Sequence, residues 1–150
     1  MEFDDAQIED LDAIIALRRR AFEKITPSHY SPAEVENLLN DYDRAQFSKM
    51  IRDRRLFCYK KGTKLYGTAG WEGSAIRHVY VDPDQFGVGI GSNLIEHTIL
   101  DFKKRTGCER MTAGVIIYAR GFYEKSGFNV VAKKKAWDGS EFYEMSRPLK

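Results

Sequence analysis

The stretch Val79-Tyr80-Val81-Asp82-Pro83-Asp84-Gln85-Phe86-Gly87-Val88-Gly89-Ile90-Gly91-Ser92 places three glycines in alternation between a strand-like run and the start of a helix-like one. Glycine lets the backbone turn tightly and come close to a ligand. The N–H groups that open a helix have no partner within it and sit at the positive end of its dipole. Together they make an anion cradle suited to a diphosphate. Two familiar phosphate loops do not fit. A dinucleotide fingerprint needs G-x-G-x-x-G at the first βα turn of a parallel sheet; here the third position is Ser92, in mid-chain. A nucleoside triphosphate loop needs Gly-Lys followed by Ser or Thr, and no Lys follows these glycines.

Other reactive side chains form no such pattern. His29, His78 and His97 with Cys58 and Cys108 lack metal-ligand spacing. His97 is expected on the solvated face of the helix after the loop. Two cysteines make no disulfide framework, and both read as buried reduced thiols. Arg18-Arg19-Arg20 and Lys133-Lys134-Lys135 read as solvated charge runs.

These residues need a scaffold, and the chain is long enough for one domain, residues 1–150. It carries 24 Lys plus Arg against 22 Asp plus Glu, a net +2, with 43% hydrophobic and 31% charged residues. That balance excludes disorder and gives no reason to expect a nucleic-acid or membrane partner. No apolar run approaches the roughly 20 residues of a membrane-spanning helix. The acidic start MEFDDAQIEDLD lacks the order of a secretory signal, so a cytoplasmic location is expected.

Residues up to Asp4 suit a short edge strand. Ile8, Leu11, Ile14, Ile15 and Phe22 recur at helical spacing and predict a first helix to about Lys24, followed by a loop over 25–30. Ser31-Pro32-Ala33-Glu34 has the cap, first-turn proline and capping-box acid of a second helix. Phe47, Met50 and Ile51 belong to a further helical stretch. The period then shortens: 55–60, 65–71 and 75–81 read as an antiparallel meander, its connections too short for parallel crossovers. After the glycine loop come a helix over about 91–105, a strand over 110–117, a short helix over 119–125, and two strands near 129–134 and 141–147. The class is mixed α+β.

The glycine loop resembles the acetyl-coenzyme A loop of the GNAT superfamily N-acetyltransferases, and the segment Ala119-Arg120-Gly121-Phe122-Tyr123-Glu124-Lys125-Ser126-Gly127-Phe128 resembles the second hallmark of that family, A-x-x-(F/L)-Y-x-K-x-G-F. The order of elements matches across essentially the whole chain. The resemblance implies a central, mostly antiparallel twisted sheet of six to seven strands, splayed in the middle and flanked by about four helices. It implies acetyl-coenzyme A as co-substrate, no metal, and direct transfer to an amine in a ternary complex. The diphosphate would rest on the amides of Phe86, Gly87, Val88, Gly89, Ile90, Gly91 and Ser92. The pantetheine arm would pair, as an added strand, with Val79, Tyr80 and Val81. Ala119, Phe122, Tyr123 and Lys125 would flank the arm from the short helix. Tyr123 would face the thioester sulfur, where a phenol of pKa about 10 keeps its proton at neutral pH and can give it to the departing thiolate.

Departures from the family pattern are specific. Phe86 stands where Arg or Gln is usual, with Gln85 one place earlier, which leaves backbone amides to hold the diphosphate. Ile116 and Tyr118 stand near positions often held by Asn. The strand before the loop, Ala75-Ile76-Arg77-His78, carries no acid, so Glu72 and His78 are the base candidates, with a water chain as the alternative. His29, Tyr30, Glu34 and Trp71 are candidates to line the acceptor site. One basic run is available for the cofactor's 3′-phosphate, or for an RNA or acidic protein acceptor. The acceptor is a small-molecule amine or a protein amino group, the former favoured by the absence of any sign of a long peptide groove. A non-catalytic acyl-coenzyme A sensor on the same fold is the alternative. The apolar content of the last strands (Val130, Val131, Phe142, Tyr143) leaves a homodimer open.

Overall fold

The computed structural model describes residues 2–29, 31–33, 44–85, 87–137 and 139–149. Seven strands form one sheet: β1 (Glu2–Asp5), β2 (Leu56–Lys61), β3 (Lys64–Glu72), β4 (Ala75–Val81), β5 (Arg110–Ile116), β6 (Asn129–Lys135) and β7 (Glu141–Pro148), in the order β1-β2-β3-β4-β5-β7-β6. Every pairing is antiparallel except β4 with β5. The single parallel step needs a crossover connection, and α3 supplies it between β4 and β5. Among the described residues there are four α-helices: α1 (Leu11–His29), α2 (Arg44–Arg52), α3 (Ile90–Thr106) and α4 (Arg120–Lys125). This is the mixed α+β architecture expected.

The two faces of the sheet carry separate cores. On one, Leu11, Ile14 and Leu17 of α1 and Phe47, Met50 and Ile51 of α2 pack on Leu56, Cys58 and Leu65. On the other, Ile95, Ile99 and Phe102 of α3 pack on Phe57, Trp71, Ile76, Met111, Ala113, Val115 and Met145. Tyr59, Ala69, Ile90 and Leu94 extend this second core toward the glycine loop. A Cβ at Gly67 would lie 2.7 Å from Leu94 Cδ1, so α3 lies close against β3 because that strand has no side chain there.

Several expectations are corrected. Helix α1 continues through Pro27 to His29, where a loop was expected. A proline beyond the first turn removes the bond to the carbonyl four residues earlier and crowds it, but Pro27 stands in the last turn of α1, where little helix remains to disrupt. The helix expected to start at Ser31–Glu34 lies, beyond Ala33, outside the described residues; Pro32 and Ala33 are helical. Cys58 is buried as expected, but Cys108 is exposed. His97 is half-buried: it stacks on Phe3 with centroids 5.4 Å apart and meets Phe57 edge-on at 4.9 Å. No helix among the described residues is long and apolar enough to cross a membrane. No group of three or more His, Cys, Asp or Glu among them could hold a metal ion.

Candidate active site

The sheet opens between β4 and β5. The two strands pair only at Ala75↔Thr112 and Ile76↔Ala113, whereas β5 continues to pair with β7 through Ile116↔Phe142. Beyond Ile76, the strand β4 is laddered to β3 alone. A bulge drives the separation: Thr68 faces Tyr80 and Gly70 faces Arg77, so Ala69 stands opposite both His78 and Val79. The extra residue, His78, adopts φ +57°. Its carbonyl accepts a 2.9 Å hydrogen bond from Thr68 Oγ1, which pins the bulge. Bulges bend the strand that carries them and sharpen its twist. The edge of Val79, Tyr80 and Val81 that faces β5 is thereby turned toward the gap, where an extended ligand could pair with it.

The glycine loop caps the end of this gap. Gly87 and Gly89 take φ +85° and +86°, values that side-chain-bearing residues rarely adopt, and Gly89 is the N-cap of α3. Gly87, Val88 and Gly89 are exposed, as is Ser92, whereas Ile90 and Gly91 are buried. Gly91 serves a different purpose from the other two. A Cβ there would lie 2.8 Å from Phe122 Cζ and 3.2 Å from Val81 Cγ2, so the lack of a side chain lets α3 meet α4 and β4 together. Phe86 lies outside the described residues.

Helix α4 follows β5 through a 3-10 turn, Ile117–Ala119. Phe122, Tyr123 and Ala119 are partly buried against the core beneath the gap, and Lys125 is exposed. The Tyr123 ring is held edge-to-face by Phe122 at 5.4 Å and Phe128 at 5.6 Å. Burial pushes its phenol pKa up, and Tyr80 pushes it further the same way. The group is therefore an acid that stays protonated well above neutral pH.

On the α1 side, Arg18 Nε donates to the Tyr80 hydroxyl at 3.1 Å, and that hydroxyl lies 3.0 Å from His78 Nδ1. Giving the phenolic hydrogen to Nδ1 leaves the imidazole proton on Nε2. The imidazole packs on Phe47, 4.3 Å between centroids. Burial first, and then the charges of Arg18 and Arg77, hold its pKa down at about 4. His78 is thus neutral at pH 7 and a weak proton acceptor.

The sign of the resulting pH dependence is fixed. The unfolded chain protonates this histidine near 6.5 and the folded one near 4. Folding stability is therefore full above 6.5 and falls as pH drops through that window, by about 3 kcal/mol at most. His78→Asn, whose side chain tolerates a positive φ, is expected to lose less stability than wild type between pH 7.5 and 4.5. Urea unfolding at both values checks this, and equal losses would exclude it.

The remaining sequence candidates separate. Glu72 pairs with Ala75 at the closed end of the sheet, four residues (about 13 Å along a strand) from Val79. Trp71, expected to line the acceptor site, is instead in the core at 3% exposure. Its indole N–H donates to Asp101 Oδ2 at 2.8 Å, and Arg55 and Arg105 cover its ring at 4.7 and 5.1 Å. The register of β3 turns it toward α3, away from α1. His29 is the last residue of α1; Tyr30 and Glu34 lie outside the described residues. The reading of 18–20 as a solvated run is corrected at Arg18, which is 7% exposed; Arg19 and Arg20 are exposed, and Arg20 Nη2 contacts Asp82 Oδ2 at 2.6 Å. A signal for Arg18 was present: it stands four residues after Ile14 and four before Phe22, on the buried stripe of α1.

A family model described as an acetyltransferase (GNAT) domain matches residues 26–149. The chain belongs to the GNAT acetyltransferase family. That membership makes it an acetyl-coenzyme A-dependent N-acetyltransferase. A GCN5-related N-acetyltransferase from Rhodopseudomonas palustris superposes with a TM-score of 0.87 at 21% identity, covering 99% of this chain and 95% of its own. PaiA N-acetyltransferase from Thermoplasma acidophilum, solved with coenzyme A, gives 0.76 at 21% identity over 99% and 98%. Rv2747 from Mycobacterium tuberculosis, also solved with coenzyme A, gives 0.71 at 13% over 100% of both chains. At these identities the likeness concerns the GNAT fold. No curated protein sequence matches the chain.

Proposed function

We propose that this GNAT domain transfers the acetyl group of acetyl-coenzyme A directly to an amine in a ternary complex, with Tyr123 as general acid. The observation that carries this reading is the gap between β4 and β5, with an amide-rich helix start at its end and a protonated phenol against it. The residues present fit the co-substrate. Gly87 and Gly89 expose the loop backbone to a diphosphate, and Val79–Val81 offer a strand edge to the amides of the pantetheine arm. Coenzyme A in the PaiA and Rv2747 structures supports the same assignment.

The chemistry balances as one N–C bond formed and one C–S bond broken. The amine nitrogen attacks the acetyl carbonyl, the sulfur leaves with the bonding pair, and Tyr123 supplies it with a proton that the phenolate regains from solvent. The amine's own proton goes to His78, to Glu72 or through water to solvent. His78 borders the gap but binds a proton only near pH 4, and Glu72 is at the closed end, so water is the route these positions favour. The acceptor is a small-molecule amine in preference to a protein amino group. We assign the protein to the cytoplasm, with no nucleic-acid or membrane partner, and leave a homodimer as an arrangement the last strands permit.

Thermal melting with coenzyme A, acetyl-coenzyme A, NAD and ATP in parallel tests the cradle. Ligand at 100 times its dissociation constant is expected to add about 2.7 kcal/mol of stability. A shift with the coenzyme A forms supports the reading, and a shift with NAD or ATP alone, or none, would sink it. Thiol release with an amine panel then separates an enzyme from an acyl-coenzyme A sensor, which would bind tightly and release none.

A further inference from the structure

Between β4 and the glycine loop stands a buried carboxylate that the proposed chemistry does not use. Asp82 is 3% exposed, and both of its oxygens are engaged. Oδ1 accepts a 2.9 Å hydrogen bond from the Asp84 N–H, and Oδ2 contacts Arg20 Nη2 at 2.6 Å. Its backbone is held as firmly: the Asp82 N–H donates to the Tyr66 carbonyl at 2.8 Å, and its carbonyl accepts from the Gln85 N–H at 2.8 Å. These contacts shape the 3-10 turn Pro83–Gln85, which delivers the chain to the glycines. A carboxylate this buried needs a partner, and its partner comes from another element, α1. Two residues earlier on the same helix, Arg18 holds the Tyr80 hydroxyl. Helix α1 therefore grips β4 at two successive outward steps, Tyr80 in the strand and Asp82 just past its end.

From this we infer that Arg20 and Asp82 are positioning residues for coenzyme A: their ion pair fixes the turn that aims the amides of the glycine loop at the diphosphate. The inference rests on the reading of that loop as the coenzyme A cradle. A cradle made of backbone groups binds well only if its donors are set before the ligand arrives, because ordering them on binding subtracts from affinity. No side chain of the pair need touch the ligand. The effect should fall on binding of the donor substrate and leave the acetyl-transfer step alone.

The test uses the full chain and isothermal titration with coenzyme A, together with steady-state kinetics and melting. Asp82→Asn keeps an oxygen for the Asp84 N–H but presents an amide to Arg20, so the turn survives and the tether breaks. Arg20→Ala removes the other half from a side chain that is 48% exposed, a place where folding tolerates truncation. Each is expected to weaken coenzyme A binding about tenfold and to raise KM for acetyl-coenzyme A in step, with kcat at saturation within about twofold of wild type. Arg20→Lys is expected to recover most of the loss. Arg44→Ala, which breaks the exposed ion pair between Arg44 of α2 and Asp12 of α1, is expected to change neither. Wild-type binding with unchanged affinity in both Asp82→Asn and Arg20→Ala would overturn the inference alone. A fall in kcat with unchanged KM would also overturn it, as would a loss with Arg44→Ala of the same size. A wild-type protein that binds no coenzyme A would overturn the cradle and the inference together.

Discussion

Tyr123→Phe is expected to lower kcat about 100-fold while leaving coenzyme A affinity within about twofold. General acids contribute roughly 10² to 10⁴ in rate. The lower end applies here because a thiol of pKa about 8.5 is already a fair leaving group, and the phenol removes only the remaining charge on sulfur. Phenylalanine keeps the edge-to-face contacts with Phe122 and Phe128 that hold the ring, so the fold and the gap between β4 and β5 should survive. The pH dependence is a second signature. Burial holds the Tyr123 phenol above its ordinary value, so its acid form persists past about pH 10 and kcat shows no alkaline limb from this group below that. Single-turnover thiol release across pH checks both statements. A variant within twofold of wild type would remove Tyr123 from the chemistry, and an alkaline limb near 8 shared by the variant would assign that limb to another group.

Gly91→Val is the other substitution with a large expected effect, and it acts through packing. Even a Cβ at this position lies 2.8 Å from Phe122 Cζ and 2.9 Å from its Cε1, so the ring or α4 must shift to admit it, and valine adds two methyls beyond that. Overpacking of this kind costs about 1–3 kcal/mol. The greater loss is functional, because separating α3 from α4 moves the loop amides and Tyr123 apart. Coenzyme A binding is expected to fall at least 100-fold, with Gly91→Ala intermediate. Gly121→Ala is the matching control: its Cβ would meet nothing within 4 Å, and in a helix alanine is favoured by about 0.5–1 kcal/mol. Melting and titration on the three variants check the order. Equal affinity in Gly91→Val and wild type would show that the three elements do not need to meet there.

The parts of the site that were legible in the sequence are those written in neighbouring residues. Three alternating glycines before a periodic apolar stretch announced a helix start open to an anion. The run from Ala119 to Phe128 announced a short helix and its stop. The meander over 55–81 followed from strand-like runs joined by turns too short for anything else. Each is a statement about residues within a few positions of one another, where turn chemistry and side-chain period act directly.

What needed the tertiary structure is everything that depends on who sits opposite. The gap between β4 and β5 exists because one residue of β3 faces two of β4, and a bulge is a property of a pair of strands. The sequence offered His78 as a base candidate; its φ of +57° comes from that bulge, and its neutral state from burial and from Arg18, 60 residues away in the chain. Trp71 was placed on the acceptor side, yet the face that a strand residue occupies is decided by register, and register sent it to α3. Arg18 and Arg20 read as members of one basic run, but α1 turns one into the core and the other onto Asp82. The sequence by itself determined the local devices, the glycine-opened helix start and the tyrosine-bearing short helix, because short-range sterics and periodicity encode them. Long-range pairing alone decided how far apart they stand and which charges stand between them, because burial and electrostatic partnership belong to contacts that no local pattern specifies.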